Sequence, residues 1–199
     1  MGSKDNRNRR KWQDYSGKKA GKAEHDFYSA FQIEFENTSF RIRSKPNEFN
    51  NIYVDVKLNS KERSAIFTPK EKITRHGVLP DYAIDNLETG KTIYVEVKRQ
   101  DGWVEGGKRT DGRGNAHERS CKFFTPGLLK ILREKGNLGN DVLPFWTVFQ
   151  GNITRDPCRV REITCWYDEH TAHYFFWRNS ANSKTLIEHF KKNLQHLLK

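Results

Sequence analysis

The sequence predicts an α/β protein: a central mixed β-sheet flanked by helices. Strand-like runs and amphipathic helical stretches follow one another along the whole chain instead of gathering in separate halves. Two of the strand-like runs, Leu79 to Asp85 and Lys91 to Lys98, are joined by the turn residues Asn86 to Gly90 and form a hairpin. The 199 residues include 13 Phe, 7 Tyr and 5 Trp, enough large apolar side chains for one buried core but few for two.

Residues 1–22 carry Lys4, Arg7, Arg9, Arg10, Lys11, Lys18, Lys19 and Lys22 without a sustained apolar face, and are expected to form a flexible basic arm. A single domain is expected over residues 23–199. Phe27, Tyr28, Phe31, Ile33 and Phe35 lie mostly on one face of a first helix, with Ile33 off the strict spacing. Phe40 to Arg43 and Asn51 to Lys57 alternate as strands do, and Lys61 to Phe67 is a short helix stopped by Pro69. After the hairpin comes a Gly-rich charged loop from Gln100 to Gly114. A helix is expected in the Asn115 to Phe124 region and another from Leu128 to Glu134, with Thr125-Pro126-Gly127 between them. Val142 to Phe149 has the composition of a central strand, and Ile163 to Tyr167 and His173 to Trp177 are expected as further strands. Lys184 to Leu198 has the apolar stripe of a terminal helix.

Lys and Arg outnumber Asp and Glu by 36 to 25, a formal charge of +11, which favours a polyanionic partner. No segment has the apolar length of a membrane span or signal peptide, so the expected polyanion is nucleic acid, not a lipid surface. Three cysteines, Cys121, Cys158 and Cys165, are too few and too scattered for a disulfide framework or a zinc site, in keeping with a reducing cytoplasm.

The hairpin holds the chemistry. On the strand Ile93 to Lys98, Ile93, Val95 and Val97 point one way, and Tyr94, Glu96 and Lys98 point the other. Folding about the midpoint between Glu88 and Thr89 sets Asp81 opposite Glu96. Cross-strand β-carbons lie about 5 Å apart, so the two carboxylates need a proton, a cation or water between them. Mg²⁺ answers that need, because it takes one or two carboxylates together with substrate phosphate. Phosphodiester hydrolysis fits such a site: the metal stabilises charge on phosphate and acidifies a water, and Lys98 orients that water. The competing reading is a solvated hairpin face with an ordinary Glu-Lys strip.

Downstream lies Gly112-Arg113-Gly114-Asn115-Ala116-His117-Glu118-Arg119-Ser120. Asn pairs bidentately with adenine, Arg donates to N7, guanine O6 or phosphate, and Glu accepts from an exocyclic amine. Gly114 and Ala116 permit close approach of the backbone. The same residues also read as a capped helix, with Asn115 as N-cap and Glu118 completing a capping box.

Pro80-Asp81, fourteen further residues and then Glu96-Val97-Lys98 resemble the signature of the PD-(D/E)xK nucleases. The resemblance implies Asp81, Glu96 and Lys98 as the catalytic set. It implies Asp81, Glu96 and the carbonyl of Val97 as ligands of Mg²⁺. Gly114 to Arg119 resembles the recognition segment of the EcoRI-like type II restriction endonucleases, which read a central AATT. The stretches 98–106, 112–122, Phe124 to Lys130 and Ile153 to Pro157 are closer still to the MunI-like branch of that family. This implies a restriction-endonuclease-like fold and a homodimer on double-stranded DNA. Arg113, Gly114, Asn115, Ala116, Glu118 and Arg119 would form the recognition segment, with Arg113 reading the outer pair of CAATTG. Cleavage would leave 5′ overhangs with 5′-phosphates, and a cognate DNA methyltransferase would be the functional companion in a bacterial cytoplasm. The likeness is dense from Pro80 to Tyr167 and looser in the basic arm.

Two other functions compete: a structure-specific repair or junction-resolving nuclease with the same metal site, and a non-catalytic DNA-binding protein. The recognition segment counts against the first, and Asp81, Glu96 and Lys98 together count against the second. Asp168, Glu169, His170 and His173 are read as a polar loop, not a metal cluster. Trp103 and His117 remain open: Trp103 lies between the two motifs, and His117 could face a helix or a phosphate.

Overall fold

A computed structural model describes residues 3–109, 114–115 and 117–199, with side chains from residue 17 onward. Five strands form one sheet in the order β1 (Phe40–Ser44), β2 (Tyr82–Asn86), β3 (Thr92–Arg99), β4 (Phe145–Gln150) and β5 (Tyr174–Phe176). The first three are antiparallel, and β4 and β5 continue parallel to β3. The sheet is therefore mixed, as the alternation of helical and strand-like segments predicts.

Both faces of the sheet are covered. Ile42, Ile84, Ile93, Val95, Val97, Trp146 and Val148 face α1 (Ser3–Glu34) and α5 (Lys184–Asn193), where Phe27, Phe31, Leu186, Phe190 and Leu194 meet them. Phe27 and Phe31 are wholly buried and touch edge-on the ring of Trp146. On the other face Ala83, Tyr94, Phe145 and Phe149 pack with Phe123, Leu128, Leu132, Ile163 and Tyr167. Most of these come from α3 (Pro126–Gly136) and α4 (Pro157–Tyr167). The period-two alternation of β3 thus feeds two cores, and its polar residues lie under a helical layer.

The hairpin register is the predicted one. Tyr82 pairs with Val95, Ala83 with Tyr94, Ile84 with Ile93 and Asp85 with Thr92, every pair adding to 177. The pairing ends at Tyr82, so Asp81 stands just before the strand.

Several elements differ from expectation. The backbone of residues 3–22 is helical and continuous with the core helix, and Ala23 is the first buried side chain among those described. Proline is absent before residue 46 and helix formers dominate, so nothing breaks the helix there. Asn51 to Lys57 forms turns, with Val54 and Val56 exposed. The amide of Val54 bonds within its own turn to Asn51, and no strand accepts the segment.

Ile163 to Tyr167 is not a strand but the end of α4. Asp156 caps that helix by accepting from the amides of Cys158 and Arg159, and Pro157 occupies its first turn. Ile163 and Tyr167, four apart, are its buried stripe. The helix expected near Asn115 is a 3₁₀ helix, Glu118–Phe124, and the terminal helix ends at Asn193 before a final 3₁₀ turn. A short α2 (Ser60–Ala65) carries the capping box of Asn59 and Glu62. Among the described residues no helix is long and apolar enough to cross a membrane.

Candidate metal centre and nucleic-acid interface

Asp81, Glu96 and Lys98 converge. The amide of Val97 and the ammonium of Lys98 both donate to Asp81 Oδ2, at 2.8 and 3.1 Å. Lys98 Nζ also donates to Glu96 Oε2. The β2–β3 ladder stops one residue short of Asp81, so the edge of Val97 facing β2 is left to the Asp81 carboxylate. Within a strand the N–H and C=O of one residue face the same neighbour. The Val97 carbonyl therefore lies on the Asp81 side as well.

Glu96 is 3% exposed, which rules out the reading of a solvated hairpin face. Burial pushes its carboxyl pKa up to about 7; Lys98 opposes the rise, and the charge and hydrogen bond of Asp81 add to it. Burial works against the Lys98 ammonium, but the two carboxylates overcome it and hold its pKa above the ordinary value. Sequence reasoning missed a third carboxylate. Glu24 on α1 has its pKa raised, first by burial and then by the Asp81 charge, and the Tyr82 hydroxyl holds the Glu24 carbonyl at 2.9 Å. Three residues before Phe27 on a helix with a clear core stripe, Glu24 gave no sign of facing a site.

The loop after β3 is pinned to the start of α4. Asp156, itself buried, also accepts from the amide of Glu105 at 3.3 Å, and the Asn152 amide group donates to the Gly102 carbonyl. Arg109 lies over the Trp103 ring, 5.2 Å from its centre. Lys19 of α1 pairs with Asp101 at 3.7 Å, bringing the basic end of α1 to the same loop.

In the expected recognition segment, Gly114, Asn115, Glu118 and Arg119 are exposed. Arg113 and Ala116 lie outside the described residues. Asn115 is not an N-cap: its side-chain amide donates to Glu118 Oε2 at 2.9 Å, and residue 117 occupies the cap position without a side-chain bond. The pair presents a joined amide and carboxylate at the surface.

His117 points the other way. It is fully buried and stacked on Trp166 of α4, with ring centres 5.2 Å apart and planes 11° from parallel. Its Nε2 lies 2.9 Å from Glu162 Oε2 and 3.1 Å from Arg159 Nη1, which itself donates to Glu162 at 2.7 Å. Desolvation lowers the His117 pKa, so the ring stays neutral. This anchor was invisible in the sequence, because Arg159, Glu162 and Trp166 share a face only in a helix and the segment has the composition of a strand. His173 is likewise internal, with Nδ1 2.8 Å from the Phe145 carbonyl and a pKa lowered by burial to about 4. Among the described residues no group of three or more His, Cys, Asp or Glu side chains is arranged to hold a metal.

The sequence model of the family described as type II restriction enzyme MunI matches residues 1–199. The chain belongs to the MunI family of type II restriction enzymes. A MunI-family relative from Mycoplasma sp, described as type II restriction enzyme MunI, is 47% identical over 201 residues and covers all of both chains. The crystal structure of MunI restriction endonuclease in complex with cognate DNA is 48% identical and superposes with a TM-score of 0.81, over 94% of this chain and 97% of that one. Membership of the MunI family makes the chain a site-specific deoxyribonuclease, and the mixed five-stranded sheet is the fold of that family.

Proposed function

We propose that this enzyme binds double-stranded DNA as a homodimer and, with Mg²⁺, hydrolyses both strands of the palindrome CAATTG, leaving 5′-AATT overhangs with 5′-phosphate ends. The observation that carries the reading is the convergence of Asp81, Glu96 and Lys98. The solved relative in complex with its cognate DNA supports the substrate.

The residues present fit a divalent cation. Two carboxylates and a backbone carbonyl edge meet around one point, and the buried Glu96, at a pKa of about 7, has only one ammonium to share with Asp81. Asp81, Glu96 and the Val97 carbonyl would hold Mg²⁺, completed by water and a phosphate oxygen. When bound, that cation supplies charge stabilisation at phosphorus and a more acidic water.

The chain's own residues do the rest. Lys98 Nζ, beside both carboxylates, would hold the attacking water and offset charge on the scissile phosphate. The antiparallel frame of β2 and β3 keeps Asp81 and Glu96 in register, so the site loses little motion when substrate binds. Asn115, Glu118 and Arg119, with Arg113, Gly114 and Ala116, read base edges in the major groove, and Arg113 contacts the outer pair. The basic residues within 1–22 contribute phosphate contacts that carry no sequence information. Three free thiols suit a reducing cytoplasm. A methyltransferase that protects the same hexamer is the required companion wherever the host genome contains it.

Digestion of long plasmid DNA with Mg²⁺, beside Glu96→Ala and a metal-free control, tests the reading. Discrete fragments ending in 5′-AATT, with C as the flanking base and none from Glu96→Ala, are expected. A smear, or cleavage confined to branched DNA, would replace sequence recognition with structure recognition.

A further inference from the structure

We propose that the hydroxyl of Tyr167 couples base recognition to the metal site, by tying the recognition segment to the strand beside Glu96. The inference rests on the assignment of Asn115, Glu118 and Arg119 to base reading and of Glu96 to metal binding. It adds a positioning residue that touches neither DNA nor metal.

Tyr167 ends α4 and is 1% exposed. Its hydroxyl donates to Thr147 Oγ1 at 2.6 Å. Thr147, wholly buried on β4, is the register partner of Glu96 on β3. Partners on adjacent strands point to the same face, about 5 Å apart. Thr147 is therefore the side chain against which the Glu96 carboxylate stands, and the Glu96 charge is felt at the Tyr167 phenol. On its other side the Tyr167 ring packs on the 3₁₀ helix Glu118–Phe124 through Phe124, and Ser120 lies close enough to influence the phenol. Ser120 is also buried, and its hydroxyl donates to the His117 carbonyl at 2.7 Å. The Ser120 proton goes to His117 and the Tyr167 proton to Thr147, so the step between Ser120 and Tyr167 is a packing contact, and the three buried hydroxyls lie in succession between the backbone of the recognition segment and the neighbour of Glu96.

The line has no slack. The Tyr167 ring is held edge-on by Phe124, 4.9 Å away, and against Tyr174 at 5.0 Å. Protein interiors of this kind pass on displacements instead of absorbing them. The recognition segment cannot slip on α4, because His117 is clamped between Trp166 and the Arg159–Glu162 pair. A shift of the segment on meeting its base pairs therefore reaches Thr147 through Ser120 and Tyr167. The correct sequence then favours the position of Glu96 that cleaves. A coupling of this kind has to be shown by non-additive mutations, since spatial continuity alone does not measure it.

The test uses Tyr167→Phe, which keeps the ring and removes only the oxygen. Two duplexes serve as probes, one with CAATTG and one with a single central base pair changed. Binding is measured in EDTA, and single-turnover cleavage with Mg²⁺ at saturating enzyme. The expected result is a cognate Kd within twofold of the parent, a cleavage rate on CAATTG lower by about tenfold, and an unchanged rate on the altered duplex. Ser120→Ala should give the same selective loss, and the double variant no further loss. An equal fall on both duplexes, an additive double variant, or full cognate activity in Tyr167→Phe would overturn the coupling. Should Tyr167→Phe not fold, Ser120→Ala alone decides by the same comparison. Parent enzyme that leaves both duplexes intact would overturn the nuclease reading, and this inference with it.

Discussion

Replacing Glu96 by Gln should stabilise the metal-free protein at alkaline pH while abolishing cleavage. Burial, the first cause, and then the Asp81 charge raise the Glu96 pKa from 4.5 to about 7, against the pull of Lys98. A raised acid pKa means that the folded state holds a proton the unfolded chain has released. Stability from this group is therefore largest below pH 4.5 and falls as pH rises, until the folded carboxyl ionises near pH 7. A displacement of that size is worth about 3 kcal/mol at 1.36 kcal/mol per pH unit, an order-of-magnitude figure. Lys98 does not disturb the window: its pKa is raised, so its contribution is constant below its ordinary value of 10.5. Gln keeps the volume and cannot ionise. Urea unfolding of both proteins in EDTA, at intervals from pH 5 to pH 8.5, reads Glu96 together with the Asp81 and Lys98 charges coupled to it. The difference in unfolding free energy should move in favour of the variant by about 2.5 kcal/mol across that range, the rest of the shift lying below pH 5. Mg²⁺ at pH 8 should stabilise the parent and leave the variant where it was. Parallel curves in EDTA would refute the claim that Glu96 is held in a site that disfavours its charge.

Two further outcomes follow from the same geometry. Asn115→Ala removes an exposed amide bonded to Glu118 and should reduce discrimination at the inner A·T pairs by about 1–3 kcal/mol, read as the ratio of kcat/KM on CAATTG to that on a singly altered site. Phe31→Ala, at a wholly buried position against Trp146 and Phe190, should cost about 3–5 kcal/mol in chemical unfolding and leave the sequence preference of the remaining folded enzyme unchanged.

How much of this was legible in the sequence depended on whether local pattern and tertiary partner agreed. The hairpin was legible down to its register, because a short turn between two alternating runs leaves one pairing that buries both apolar sets. The observed ladder ends at Tyr82 and Val95, and beyond it Asp81 reaches Val97 and Lys98. Asn51 to Lys57 shows that alternation alone is not enough: the pattern is present, but β1 pairs with β2, and among the described residues no strand receives the segment. Ile163 to Tyr167 failed for a different reason. Its β-branched and aromatic residues suit a strand, yet Asp156-Pro157 upstream is a helix start whose mechanism is local, and it outweighs side-chain preference once Ile163 and Tyr167 find a core four residues apart.

The misreading of α4 hid more than one element, because α4 holds the two halves of the site together. Its first turn takes the loop that follows Lys98, its middle clamps His117, and its last residue reaches Thr147 beside Glu96. None of these contacts is local, so no spacing rule could have found them. The burial of Glu96 also excludes a solvated face for the Glu-x-Lys strip. Tyr94, on the same face of β3 as Glu96, lies in the second apolar core, and Glu96 is covered with it. A carboxylate there is costly, and replacing such a cluster by apolar side chains of similar volume is often neutral or stabilising. Stability therefore gives no reason for two acids and a lysine at this point. Under the proposed function a cation and a phosphate would supply that reason, the phosphate being brought by the recognition segment fastened to the same helix.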